Sequence, residues 1–253
     1  MSKVGKMKLV VSNAPALKTA VDAIVSIVEE GEFEITKDGL HLKAMDPSQI
    51  SMVSFTMPKS SFEEYSITEE KRIGVDIAQL SNVLARGKSG EKAELMVEDG
   101  RLVVKFYAAK RKRTFKIPLR ETSERVQREP KIDFKNFVVL RADAFREVLK
   151  DAKLISSHVR LLLTPQNFLV EVRGESGDIR EEFESGGEEV LEIKTSDNAK
   201  ATFPLQYLED MLKAASSSSP IKINLETDKP MKLEYSVEGA FVVYYLAPRI
   251  ETE

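Results

Sequence analysis

The chain contains no cysteine and no tryptophan, and only two histidines in 253 residues. Without cysteine there can be no disulfide, thiolate metal site or cysteine nucleophile, and the composition is compatible with a reducing cytoplasm. His41 and His158 each fall in or beside a predicted strand with no convergent partner, so they read as packing or surface residues rather than general bases. No apolar run approaches the ~18 residues of a membrane span. The opening residues, MSKVGKMKLVV, lack the apolar core and small-residue cleavage site of a secretory signal. A phosphate loop is missing too. Gly87-Lys88-Ser89 has its closing letters, but Asn82 stands where its first glycine belongs, so the triplet reads as a helix-ending turn. Nothing has metal-ligand spacing, and Glu63-Glu64 and Glu69-Glu70 read as solvated pairs. A basic excess is also absent: 38 Lys and Arg against 41 Asp and Glu leave a net charge of -3. If nucleic acid is the partner, positive charge must be segregated onto one surface.

What is present is a chain 42% hydrophobic and 31% charged, the profile of a soluble globular protein, with length enough for one large domain or two small ones. The chain also repeats itself. Shifted by 128 positions, apolar residues meet apolar residues: Leu17 meets Phe145, Ile35 meets Leu163, Leu40 meets Phe168, Leu42 meets Val170, Val75 meets Phe203, Leu80 meets Leu208 and Leu95 meets Ile223. With one further residue of shift, Phe115 meets Tyr244 and Ile117 meets Leu246.

Each half reads alike. Residues 13–28 form a predicted helix with Pro15 in its first turn and Leu17, Val21, Ile24 and Val28 at helical spacing. Strands EFEIT, GLHLKAM and ISMVSFTM follow, with a turn at Lys37-Asp38-Gly39. A second helix over 76–86 opens on Asp76 and Gln79, spaced as a capping box, and shows Ile77, Leu80, Val83 and Leu84 on one face. Strands KAELMVE, RLVVKFYA and RTFKIPL complete the half, the first two joined by Glu98-Asp99-Gly100. In the second half the helices are predicted over 143–155 and 205–215. Helices with a single apolar stripe must lie on a sheet, so the fold class is α+β in two similar domains. The segment 120–133 has few large apolar residues and reads as an exposed linker.

Met45-Asp46-Pro47-Ser48-Gln49-Ile50 resembles the motif after the third strand of the proliferating cell nuclear antigen (PCNA) family of DNA sliding clamps. Tyr245-Leu246-Ala247-Pro248-Arg249-Ile250-Glu251 resembles that family's tail motif, and Ile73-Gly74-Val75-Asp76 and Asp228-Lys229-Pro230-Met231 fit as well. The resemblance covers the whole chain, and the ending directly after the tail motif looks archaeal rather than eukaryotic. It implies clamp domains over 1–119 and 135–253 joined by a linker over 120–134. It also implies outer β-sheets, inner helices, and three subunits closing head to tail into a ring around duplex DNA. Function would be that of a non-enzymatic processivity factor without cofactor or metal. Its clients would be of the polymerase, clamp loader, flap endonuclease and ligase types. It would act in the cytoplasm beside the nucleoid if archaeal and in the nucleus if eukaryotic. A homotrimer is expected, with a heterotrimer as the alternative.

The same resemblance assigns site residues. Lys18, Arg86, Arg146, Lys150 and Lys213 fall on or near the polar faces of the four helices and would meet phosphates without reading sequence; Lys110 and Arg111 belong to a basic run beside a strand. The plain alternatives are solvated helix charges, since Asp22, Glu147, Asp151, Glu209 and Asp210 share those helices, and an edge strand protected by charge. Val25 and Asn82 stand where the family is often basic. A client-peptide pocket would comprise Met45, Ile50, Met52, Pro130, Phe134, Pro230, Tyr245, Leu246, Ala247 and Pro248; methionines suit a surface that accepts several clients. The linker around Val126 is more polar than is usual, and Gln49 replaces a common histidine or arginine, which bears on client choice. The strand of Arg113, Phe115 and Ile117 would pair with the strand of Ile179 and Phe183 on a neighbouring subunit. Outside this reading stand a checkpoint-type clamp subunit, an enzyme on a duplicated scaffold, and a scaffold protein without DNA.

Overall fold

The computed structural model describes residues 7–122 and 127–250. Val126 of the linker and Glu251 of the tail lie outside the described residues. The elements run β1 (Met7–Val11), α1 (Ala14–Val25), β2 (Glu30–Ile35), β3 (Gly39–Met45), β4 (Ser51–Pro58), β5 (Glu64–Ile67), β6 (Lys71–Asp76), α2 (Ile77–Leu84), β7 (Lys92–Glu98), β8 (Arg101–Ala108) and β9 (Arg111–Pro118). The second half repeats this order. It holds β10 (Phe137–Arg141), α3 (Ala142–Lys153), β11 (His158–Leu163), β12 (Asn167–Gly174), β13 (Gly177–Glu184), β14 (Val190–Lys194), β15 (Ala199–Pro204), α4 (Leu205–Leu212), β16 (Pro220–Asn224), β17 (Met231–Val237) and β18 (Ala240–Leu246). The chain forms two compact units. One holds the residues through Arg128, without 46–52 but with 237–242; the other holds the remainder.

The 128-residue period is visible in the strand registers. In β2 and β3, Phe33 pairs with Leu42 and Ile35 with Leu40; 128 positions on, in β11 and β12, Leu161 pairs with Val170 and Leu163 with Phe168. Likewise Glu30 opposite Asp76 becomes His158 opposite Pro204. A slip of one residue would turn every core side chain to the other face, so this agreement shows that the duplication preserves a buried surface. In the first unit a five-stranded sheet has the order β5-β1-β7-β8-β9. In the second, a four-stranded sheet runs β13-β12-β11-β15, and β10 pairs with both β14 and β16.

Alternation decides which face is buried. Along β11, Val159, Leu161 and Leu163 are buried while His158, Arg160 and Leu162 are only partly covered. Phe168 on β12 meets Phe145 of α3 with ring centroids 6.1 Å apart and stacks on Phe183 of β13 at 6.0 Å. Each such fully buried large side chain contributes about 1.5–3 kcal/mol from removal of apolar area alone. Asp76 accepts the Gln79 amide at 2.8 Å, so α2 starts where its cap predicts.

All four helices start at the predicted point or one residue from it, and all four end earlier than predicted. Ile27 donates to the Ile24 carbonyl, Leu154 to Asp151 and Lys213 to Asp210, so the last turns tighten to three-residue spacing. Val28 is still buried there, and apolar spacing alone does not separate such a turn from α-helix. The hairpins predicted at Asp99-Gly100 and found again at Glu238-Gly239 both place two successive residues at positive φ, the tight turn that matches strand twist.

Candidate nucleic-acid and partner interfaces

The two helix pairs present different charges. In the first unit Lys18 is held by Asp22 one turn on, and Asp22 also accepts the Ser81 hydroxyl of α2 at 2.9 Å. Arg86 is exposed just past α2, and Lys110 and Arg111 are exposed at the β8–β9 turn rather than on a helix. In the second unit, Arg146, Lys150 and Lys213 come together around one groove of about 260 Å³ between α3 and α4. Lys153, which no sequence motif singles out, lines the same groove; it lies three residues beyond Lys150, the spacing of one helix face.

The four cations are not equivalent. Arg146 donates to the carbonyls of Leu212 (2.9 Å) and Ala215, so it caps the end of α4 as well as lining the groove. Lys150, Lys153 and Lys213 pair with Glu147, Glu209 and Asp210 at 2.6, 2.7 and 2.6 Å, and all three ammonium groups are well exposed. Exposed pairs of this kind are worth about 0–1 kcal/mol, so a phosphate can displace the carboxylate at little cost.

A second surface is built around Asp46, only 4% exposed. Its carboxylate accepts the amides of Ser48 (3.0 Å), Ile50 (2.8 Å) and Ser51 (2.6 Å) and the hydroxyl of Tyr207 (2.8 Å). Burial and the bond to Asp46 hold the Tyr207 phenol above its ordinary value. The four bonds fix a tight loop with Gln49 at φ 59° and leave the Ile50 side chain outside, 38% exposed. The Ile50 carbonyl then accepts the Ala247 amide at 2.9 Å, which joins loop and tail. Ala247, Pro248, Pro130, Phe134 and Pro230 are half-buried. Lys232 lies over the Phe134 ring at 5.8 Å and pairs with Glu234 at 3.1 Å. The Tyr245 hydroxyl donates to Glu129 at 3.0 Å; burial and Glu129 push that phenol up. Met52 and Leu246 are buried, so they support this surface from beneath rather than line it. Met45 ends β3, half-buried, in the first unit.

A third feature is a pair of sheet edges. β9 pairs with β8, and β13 with β12; no described strand covers the other side of either. Ile117 and Phe183 are buried in their own cores, Phe115 meets Phe106 edge-on at 5.9 Å, and Arg113 lies over Phe106 at 5.2 Å and pairs with Glu91. Ile179 is half-buried. What the edges expose is therefore main chain and charge: Arg111, Lys112 and Lys116 on β9, and Asp178, Glu182 and Glu184, with Arg180 among them, on β13. Glu181 is raised above its ordinary value by burial and by the nearby Asp151 and Glu189. Leu154, next to Ile155, which packs under the β12–β13 turn, is 77% exposed.

Both histidines are partly covered. His41 hydrogen-bonds with the hydroxyls of Thr36 and Thr56, and His158 with that of Ser157. Among the described residues no group of three or more His, Cys, Asp or Glu could hold a metal, and no helix is long and apolar enough to cross a membrane.

Together these features define a duplicated α+β scaffold whose candidate sites are surfaces: a basic helix pair, a loop-and-tail platform and two sheet edges of opposite charge. The family model for the PCNA N-terminal domain matches residues 7–121, and the model for its C-terminal domain matches residues 128–250. The chain belongs to the PCNA family. It is 36% identical over 246 residues to the DNA polymerase sliding clamp of Methanococcus maripaludis strain C6, covering 95% of this chain and 98% of that one. The structure of A. fulgidus PCNA bound to the C-terminal region of FEN-1 is similar, with a TM-score of 0.88, 32% identity, and coverage of 98% and 100%. PCNA from Thermococcus kodakaraensis superposes with a TM-score of 0.91 at 24% identity, over 96% of this chain and 100% of that one, and shows the fold alone.

Proposed function

We propose that the protein is a DNA polymerase sliding clamp: a non-catalytic ring of three identical chains that encircles duplex DNA and tethers clients to it. The observation that carries the ring is the pair of open edges with opposite charge on one chain. The basic β9 and the acidic β13 face no partner among the described residues, and an uncovered edge invites pairing. Joining β9 of one copy to β13 of the next is a head-to-tail contact, which closes into a ring when its rotation allows. It would also set the cations of β9 beside Glu181, which burial and the nearby Asp151 and Glu189 raise above its ordinary value. Because one chain supplies both edges, copies of it suffice, and a heterotrimer is not required.

In that ring Arg113, Phe115 and Ile117 order one edge, Ile179 and Phe183 the other, and Leu154 adds an apolar contact. Lys150, Lys153 and Lys213, with Arg146 and more weakly Lys18 and Arg86, would meet phosphates. Such contacts are sequence-blind and easily exchanged, which is what sliding needs. Lys110 and Arg111 fit the edge better than the DNA face. Residues 120–134 act as the connecting linker. The Ile50 loop and the tail, with Pro130, Phe134 and Pro230, take the apolar plug of polymerase, loader, flap endonuclease and ligase clients. In an archaeal host the ring would work in the cytoplasm beside the nucleoid.

Light scattering across a concentration series, followed by primer extension on a primed circular template with and without loaded protein, tests the reading. A mass of three chains and longer extension products are expected. A monomer at every concentration, or a trimer that leaves extension lengths unchanged, would overturn it.

A further inference from the structure

The sheet face of the second unit that points away from α3 carries a cavity of about 170 Å³, with His158, Arg160, Glu171, Arg173, Thr202 and Arg249 around it. The face is set by alternation. Val159 and Leu161 of β11, and Phe168 and Val170 of β12, are buried on the helix side, so Arg160, Glu171 and Arg173 stand on the other. Three guanidinium groups and an imidazole thus surround a single carboxylate. That carboxylate is already shared, since Glu171 is the cross-strand neighbour of Arg160 and lies 3.7 Å from Arg180. Burial and Arg249 hold His158 below the ordinary imidazole value, as expected where positive charge is in excess.

The scaffold does not impose this charge. At the positions 128 residues earlier, Glu32 stands for Arg160, Lys43 for Glu171 and Met45 for Arg173. The cavity also continues the client surface. The tail donates from Ala247 to Ile50 at 2.9 Å and, two residues on, from Arg249 to Thr202 at 2.8 Å. One stretch of tail therefore separates the exposed Ile50 from the arginine cavity, and a peptide seated on the first reaches the second within a few residues.

We propose that this cavity is an anion subsite of the client groove, taking the carboxylates of acidic residues that flank a client's apolar plug. It rests on the reading that clients bind at the Ile50 loop and tail. A client segment is favoured over DNA because the cavity lies on the face opposite α3, whereas the proposed phosphate contacts lie on α3 and α4. Arginine forks match carboxylates in two-bond geometry, and rim charges of this kind select partners and speed association.

The test uses the full chain and a synthetic peptide of the FEN-1 C-terminal region, extended in turn at each end by three glutamates, three glutamines or three lysines. Fluorescence anisotropy at low and high salt gives the affinities. One glutamate-extended peptide should bind about tenfold more tightly than its glutamine twin at low salt, and the gap should close as salt rises. In Arg160→Glu/Arg173→Glu, both on the strands beneath the cavity and outside the loop and tail, the preference should turn to the lysine-extended peptide while the glutamine peptide binds as before. The unchanged glutamine peptide also reports that the variant is folded. Equal binding of all extensions to the parent protein overturns the subsite and leaves the groove standing. If no peptide binds at all, the groove reading falls and takes the subsite with it. If the double reversal weakens duplex DNA and leaves every peptide unaffected, the cavity serves nucleic acid and the proposal is wrong.

Discussion

The helix pair α1–α2 and its repeat α3–α4 rest on ladders of the same register, yet one surface is nearly spent and the other is armed. Lys18 is tied to Asp22, which is tied in turn to Ser81, and α2 itself bears no charged residue. The second pair gathers Arg146, Lys150, Lys153 and Lys213 on one groove. On the outer sheet faces the contrast takes another form: Glu32 and Lys43 in the first unit become Arg160 and Glu171 in the second. Core positions cannot drift this way, because Leu17 and Phe145, or Ile35 and Leu163, must fill space without voids. Duplication thus separates two kinds of residue. Those that agree after the 128-residue shift hold the fold, and those that disagree mark what each half does.

Charge reversal at the edges should have the largest effect. Arg111→Glu/Lys112→Glu/Lys116→Glu makes both edges acidic, and the mass in light scattering should fall from three chains to one. Adding Asp178→Lys/Glu182→Lys/Glu184→Lys to the same chain restores opposite edges, and the mass should return to three. A trimer that survives the first set would show that the edges do not join. Next comes the core. Phe145→Ala should cost about 3–5 kcal/mol and Leu17→Ala about 2–5 kcal/mol in denaturant unfolding. Hydrogen exchange should then quicken in β11–β13 for the first variant and in β7–β9 for the second. Quickening of both regions in either variant would mean that the halves unfold as one.

Much of this is legible in the chain itself. The 128-residue period matches Ile35 with Leu163 and Leu40 with Phe168, and the structure pairs Ile35 with Leu40 and Leu163 with Phe168, since cross-strand neighbours on a buried face must both be apolar. Periodicity does not mark β1, β5 and β6 as strands. β1 is only five residues long, β5 (EYSI) has no fully buried position, and β6 opens on Lys71-Arg72. The loop-and-tail surface can be found because its residues lie in two short motifs. Even so, the motifs do not reveal that Met52 and Leu246 face inward, since burial depends on which side of a strand is covered. The arginine cavity is out of reach: its residues come from β11, β12, β15 and the tail, and no local pattern joins them.

The basic groove should show a smaller, graded effect. Lys150→Gln/Lys153→Gln/Lys213→Gln should weaken duplex DNA binding uniformly across sequences and reduce the salt slope by about 0.9 for each phosphate no longer neutralised. Lys18→Gln should leave the slope nearly unchanged, because that side chain is only 26% exposed and its partner Asp22 is itself anchored by Ser81, whereas the three lysines of the second pair are well exposed. Equal reductions in slope from the two sets would erase the functional difference between the helix pairs.

Acid titration should give the smallest effect, and it should differ in sign between the two edges. Burial alone would raise Glu91, which pairs with Arg113 of β9, and Glu94 one strand further in on β7, but Glu91 is held below the ordinary 4.5 by the Lys88 amide and Arg113, and Glu94 by Tyr107 and Lys105 of β8. Their stabilisation is fully present above that ordinary value and is lost as pH falls through the lower folded values. Glu181 on β13 is raised instead, so its ionisation at neutral pH costs stability, which is recovered as pH falls through the raised value. Thermal melts of the β9-reversed monomer as a function of pH can separate the two. In that background Glu91→Gln should lower Tm at pH 7 and flatten the acid limb, whereas Glu181→Gln should raise Tm at pH 7. In the trimer the gain from Glu181→Gln should disappear, because a neighbour's β9 would supply the cations that Glu181 lacks in the single chain. A gain that persists in the trimer would place those cations elsewhere and break the pairing of the two edges.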